Sequence, residues 1–200
     1  MFEEDEQAVF PVHLSKGQPC MTKEELQRRL IENHKKLTGY VTSLSDEDFS
    51  FSPNSEKWSA GQQLDHIHSS VYPLKFILGF PKWFLKFVLK RANRPSKTYE
   101  ALISKYHLKL KGGGKASGRF LAGKVETGQK ISLGDKINTA VLKLCNSLNK
   151  FSEADLDKFV IPHPLLGKLT IREMMYFTIY HAEHHQNIII NLLQGRQRLQ

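Results

Sequence analysis

Apolar residues recur at helical spacing in four long segments of the chain. The segments cover residues 22–44, 59–80, 132–148 and 170–193, and in each of them apolar positions repeat every three to four residues. This is the period of an amphipathic helix. No long stretch shows the strict apolar and polar alternation that is typical of a half-buried strand. The pattern therefore predicts an all-α fold, a four-helix bundle.

Residues that commonly begin and end helices lie at the edges of these segments. Thr22 and Thr170 are each followed three residues later by a glutamate, which is the pattern of a capping box. Ser59 and Ser132 are predicted N-caps of the second and third helices. Gly195 is the predicted glycine that follows the last helix.

The predicted domain organisation is an arm over residues 1–21 and a single domain over residues 22–200. The domain contains an insertion at about residues 80–130, between the second and third helices. The insertion is rich in aromatic residues and lysines, and its glycines predict a long loop. Residues 75–124 hold thirteen Lys and Arg against one acidic residue, a local charge of +12 in a chain whose net charge is +9. Such a segment can attract anionic ligands, acidic lipid or nucleic acid, although a solvated basic surface has the same composition.

Composition favours a cytoplasmic protein. The chain has two cysteines, Cys20 and Cys145, too few for a disulfide framework or a cysteine-rich zinc site. The acidic N-terminus lacks the apolar run of a signal peptide. No window of about 18 apolar residues occurs, so we predict no transmembrane segment.

Candidate metal ligands lie in the last predicted helix. His181 and His185 are four residues apart, so their side chains leave the helix in the same direction from adjacent turns. Two imidazoles in this arrangement can share one metal ion. His66 and His68 lie on either side of the apolar stripe of the second helix, and periodicity alone does not decide which of them is the third ligand.

Two motifs resemble those of the DinB-like family of small bacterial four-helix proteins. Residues 58–67, which read WSAGQQLDHI, are similar to the family's W-S-x-x-x-x-L-x-H-L at the start of its second helix. Residues 180–185, which read YHAEHH, contain the family's H-x-x-H-H. The resemblance implies a metal site formed by His66, His181 and His185.

Neighbouring polar residues are further candidates for the site. The resemblance makes His184 a neighbour of the ion and not a ligand, and Asn33 and Asp65 are candidates for groups close to it. Family members often carry a glutamine where this chain has Ile188. None of these residues is a clear general base.

The resemblance implies a divalent metal ion, with zinc first and nickel, iron or manganese as alternatives. Members of the family include thiol S-transferases and metal-dependent hydrolases. The first hypothesis is therefore an enzyme with a small-molecule substrate and a thiol cofactor, no nucleic-acid partner, and a homodimer as one oligomeric form. The alternative is a non-catalytic binding module. Its basic segment would contact nucleic acid or anionic membrane, and its histidines would be structural.

Overall fold

The computed structural model describes residues 20–198, and the predicted four-helix bundle is confirmed. The long helices are α1 (Lys23–Ser43), α3 (Ala60–Gly79), α6 (Lys130–Leu148) and α8 (Ile171–Gln197). Each helix buries one apolar face against the others. The centre of the core is formed by fully buried residues of all four: Leu26, Leu30, Leu37, Leu64, Ile67, Ile137, Leu144, Met175 and Ile189.

Most of the predicted arm, residues 1–21, lies outside the described residues. Its last residue, Met21, packs against α8, where its backbone N–H donates to the hydroxyl of Tyr176 at 3.2 Å. Within residues 20–198, no helix has an apolar stretch long enough to cross a membrane.

Side-chain caps fix where three of the long helices begin. The predicted caps at Thr22, Ser59 and Thr170 are confirmed, and the latter two form complete capping boxes. The box predicted at Thr22 is only half formed. The Glu25 carboxylate pairs with two arginines of α1 instead of returning to the cap.

Two predicted helix ends are wrong. α6 begins at Lys130, before the predicted cap at Ser132, because a 3₁₀ turn leads directly into it. α8 continues through Gly195, which does not adopt the positive φ of a helix-ending glycine. The next residue, Arg196, pairs with Asp48 at 2.6 Å, and this contact stabilises the extra turn.

A small sheet, which the sequence pattern did not predict, packs beside the bundle. Its strands are β1 (Lys90–Arg91), β2 (Phe159–His163) and β3 (Gly167–Thr170), paired antiparallel in that order. The strands are too short to show alternation, and β2 begins with three consecutive buried residues. Gly167, at φ 79°, turns the chain between β2 and β3.

The insertion at residues 80–130 folds onto the bundle and contains two of the shorter helices, within residues 82–111. Leu102 and Tyr106 are buried against the core. The fully buried Glu173 carboxylate of α8 accepts hydrogen bonds from the Arg94 guanidinium at 2.6 and 2.9 Å, which fastens the insertion to the bundle. The remaining helices are α2 (Asp46–Ser50), α4 (Lys82–Val88), α5 (Tyr99–Lys111) and α7 (Glu153–Lys158).

Glycine 61 is a packing requirement of the bundle. A Cβ at Gly61 would lie 2.8 Å from two ring atoms of Phe49, which is fully buried in the core. Overpacking of this kind costs about 1–3 kcal/mol, so we expect Gly61→Ala to lower the free energy of unfolding. A Cβ at Gly39, inside α1, meets nothing within 4 Å, so Gly39→Ala should raise that free energy by about 0.5–1 kcal/mol. Urea unfolding measures both changes, and equal stabilisation by the two alanines would contradict this account.

Candidate metal centre

Three buried histidines from two helices meet inside the bundle. His181 and His185 come from adjacent turns of α8, and His66 comes from α3. The Nε2 atom of His181 lies 3.2 Å from Nε2 of His66 and 2.9 Å from Nε2 of His185. One ligand atom from each residue lies within 4.8 Å of the others. We call these three residues the histidine triad.

The geometry separates His66 from His68, which the helical period left equivalent. His66 is buried and turned into the bundle, whereas His68 is half-buried and its ring lies 5.6 Å from that of Tyr72. Of the two, only His66 belongs to the histidine triad.

The outer nitrogens of two triad histidines are held by oxygen atoms. Nδ1 of His66 lies 2.7 Å from the backbone carbonyl oxygen of Phe120, and Nδ1 of His185 contacts the side-chain oxygen of Gln63. A carbonyl oxygen only accepts hydrogen bonds, so each Nδ1 carries the proton and each Nε2 of the neutral ring presents a lone pair. We call the three Nε2 atoms, which face one another, the inner nitrogens. Only the ring of His181 can then carry a proton on its inner nitrogen.

Burial keeps the triad uncharged near neutral pH. It lowers the pKa of His66 and holds the pKa of His181 and of His185 well below the usual histidine value. Neighbouring imidazoles lower the pKa values of His181 and His185 further, because adjacent positive charges repel. Three neutral imidazoles whose lone pairs converge form a donor set that suits a divalent metal ion.

The predicted neighbours of the triad have other partners. The ring of His184 stacks on Tyr180, and its centroid lies 5.3 Å from that of His185. The Asn33 side chain donates to the backbone carbonyl of Ile179 at 3.2 Å. Asp65 accepts the backbone N–H of Gly123 at 2.9 Å. Among the described residues, His184, Asn33 and Asp65 make no hydrogen bond to the triad.

Sequence reasoning missed both groups that orient the triad. Gln63 lies three residues before His66 and so on the same face of α3, a spacing that could have identified it. The carbonyl of Phe120 comes from the insertion, and a backbone contact across 54 residues leaves no mark in the sequence. Ile188, where the family often has glutamine, is half-buried. Gln63 instead provides the polar contact to His185.

A cavity of about 210 Å³ adjoins the triad. Its lining includes His66, His181 and apolar residues of α3 and α8, together with residues 114–117, 119 and 120 of the insertion. Among the described residues, no aspartate or glutamate lines it. The cavity therefore offers a small, mostly apolar space in contact with two of the three histidines.

His34, which sequence reasoning did not select, also lines this cavity. Its Nδ1–H donates to the carbonyl of Leu30 at 2.7 Å, so its Nε2 presents a lone pair. That Nε2 is buried without a hydrogen-bond partner among the described residues. Burial lowers the pKa of His34 to about 4, so the ring is neutral at pH 7.

Fold and site together define a four-helix protein with a buried histidine triad. Residues 29–189 match the family model of the DinB superfamily, and the chain belongs to that superfamily. No curated protein matches the chain.

The low pKa of His34 predicts loss of stability in acid. The unfolded chain takes up a proton near pH 6.5, whereas folded His34 resists protonation until about pH 4. Stability contributed by the neutral ring is thus present above pH 6.5 and falls as the pH is lowered, by about 2 kcal/mol between pH 7.5 and pH 5. Urea unfolding at the two pH values should show His34→Leu losing about 2 kcal/mol less than the wild type. Identical pH slopes would contradict the assignment.

Proposed function

We propose that His66, His181 and His185 bind one divalent metal ion, with zinc preferred, and that the protein is a metal-dependent transferase of the thiol S-transferase type. The observation that carries this proposal is the proton count at the triad. Three buried inner nitrogens share at most one proton, so their lone pairs repel one another unless a cation lies between them.

Each part of the site has a role in this proposal. The Phe120 carbonyl and the Gln63 side chain hold the rings of His66 and His185 in the tautomer that binds metal through Nε2. The ion supplies a Lewis acid that lowers the pKa of a water or thiol bound to it. The neighbouring cavity, with its mostly apolar walls, holds the small second substrate.

The lining of the cavity favours thiol transfer over hydrolysis. Hydrolysis benefits from a general base near the water, and no described lining residue is a carboxylate. Burial lowers the pKa of both His34 and His163 to about 4, which makes them weak bases. A thiol needs less help because its own pKa is lower than that of water.

The transfer step needs no oxidant or reductant. The thiol loses its proton to solvent, and its sulfur attacks an electrophilic carbon of the second substrate. A carbon–sulfur bond forms while the bond to the leaving group breaks, and the leaving group departs with the electron pair.

Metal content tests the site. We expect protein purified from zinc-supplemented cells to hold about one zinc ion per chain, because the three imidazoles converge on one site and supply three of the four ligands of a tetrahedral shell. His66→Ala should remove the ion, and Gln63→Leu should weaken binding by about 10–100-fold. His68→Ala, a change of the same kind two residues along α3, is the matched control and should retain the ion. Elemental analysis and competition with a chromogenic chelator measure these outcomes, and full occupancy in the His66, His181 and His185 triple alanine variant would disprove the proposal.

Activity separates the two reaction types. Zinc-loaded protein with cysteine and 1-chloro-2,4-dinitrobenzene should release chloride and form the thioether faster than the His66→Ala variant does. Hydrolysis of 4-nitrophenyl acetate without thiol consumption would instead favour a hydrolase. Wild-type protein that binds no zinc at the triad and is inactive in both assays even with zinc present would support the non-catalytic alternative.

A further inference from the structure

The cavity beside the triad changes in polarity from its walls to its rim. Val71, Leu74, Met174 and Phe177 form buried apolar walls. Lys115 and Arg119, both exposed, lie in the part of the lining contributed by the insertion. Neither cation pairs with a carboxylate within residues 20–198. An apolar interior with unpaired cations at one side suits a ligand that has an apolar body and an anionic end.

His34 adds a third requirement inside the same cavity. A buried nitrogen without a partner costs about 1–3 kcal/mol, and the Nδ1–H bond to Leu30 fixes Nε2 of His34 as the acceptor. A donor group on a bound molecule would remove that cost. The volume of about 210 Å³ is below the roughly 300–1,000 Å³ of pockets for drug-sized ligands, so the molecule is small.

We propose that this cavity binds a small amphipathic anion whose hydroxyl or amine donates to Nε2 of His34, with its anionic group at Lys115 and Arg119. This assigns a substrate class to the proposed transferase and rests on that function only for the ligand's fate, since the contacts come from groups other than the triad. His34 is a specificity-determining residue in this arrangement.

Three probes share one ring and differ in one group each. 4-Hydroxyphenylacetate carries the anion and the donor, phenylacetate lacks the donor, and tyramine replaces the anion with a cation. Isothermal titration calorimetry on zinc-loaded protein should show 4-hydroxyphenylacetate binding at least about tenfold more tightly than either of the others. His34→Leu should abolish the preference for the hydroxyl and leave phenylacetate binding unchanged. Lys115→Ala with Arg119→Ala should weaken both anions about tenfold or more, while Lys143→Ala, a distant exposed lysine, should change neither.

The outcomes distinguish this inference from the proposed function. Equal affinity for the two phenylacetates, or an unchanged preference in His34→Leu, overturns the role of His34. Anion binding that disappears when zinc is removed overturns the assignment of the anionic group to the rim. Zinc bound at the triad with no probe binding overturns the ligand class alone, and probe binding without metal binding refutes the metal proposal alone.

A separate surface carries a second inference. Large apolar side chains at the end of α3 and on α4 are exposed, and the ring centroids of Phe76 and Phe80 lie 5.3 Å apart. We call this group the aromatic surface. Phe87 is 87% exposed, Trp83 74% and Phe76 58%. Contiguous exposure of this kind marks an interaction site. The full group is Tyr72, Phe76, Phe80, Trp83, Phe87 and Val88.

Basic residues are interleaved with the aromatic surface. Lys75, Lys86, Lys90 and Arg91 lie within or beside it, and none pairs with a carboxylate in the described part of the chain. Within α4 only Lys82 does so, with Asp155 at 2.5 Å. A twofold contact between two copies would bring these like charges together. Aromatic side chains with unpaired lysines match the interface of an anionic bilayer, where the rings enter the headgroup region.

We infer that the aromatic surface binds anionic lipid membranes peripherally. Protein should sediment with vesicles of 30% phosphatidylglycerol and 70% phosphatidylcholine, and not with vesicles of phosphatidylcholine alone. Trp83→Ser with Phe87→Ser should reduce sedimentation at least about tenfold. Added salt should weaken sedimentation of the wild type more than that of a variant with Lys86→Ala and Lys90→Ala. Leu121→Ser with Leu142→Ser, exposed apolar residues outside this surface, is the matched control and should bind as the wild type. The inference is overturned if wild-type protein does not sediment with the anionic vesicles. It is also overturned if the wild type is a dimer in solution and the variant with Trp83→Ser and Phe87→Ser is a monomer.

Discussion

The functional site depends on three imidazoles that are held in one buried space with too few protons. His66 and His185 each donate their Nδ1 proton to an oxygen atom, so the inner nitrogen of each ring presents a lone pair to His181. A hydrophobic bundle does not accept that arrangement without compensation. The helices α3 and α8 are nevertheless held at the separation that creates it, because apolar residues on both sides of the histidines are fully packed. The site is thus imposed by the surrounding core.

The insertion also helps to position the histidine triad. Its Phe120 carbonyl orients His66, and its Gly123 N–H donates to Asp65, the residue that precedes His66 on α3. At its other end, Arg94 reaches the buried carboxylate of Glu173 on α8. The segment that composition marks as basic and glycine-rich is therefore tied to both helices that carry the triad. A shift of the insertion would move a wall of the cavity and the partner of His66 together.

The residues differ in how far the sequence could identify them. The spacing of His181 and His185 identifies them as a pair, since a helix of known period orients side chains without help from the rest of the fold. His66 and His68 remained equivalent by the same reasoning and were separated by the family resemblance. The helical period places His34 within the buried stripe of α1, four residues after Leu30 and three before Leu37, but it shows only that the ring is buried. Its unpartnered Nε2 is a property of the packed cavity.

Local patterns in the sequence determined the four long helices, three of their caps and the His181–His185 pair, because these depend on residues within a few turns of one another. The tertiary structure decided what depends on distant segments. It paired β1 with β2 although the whole of α6 lies between them in the chain, and it extended α8 past Gly195 through a contact with Asp48. It also brought the carbonyl of Phe120 to His66. Contacts of this kind are made by backbone atoms or by charges whose partners are chosen only when the chain has folded.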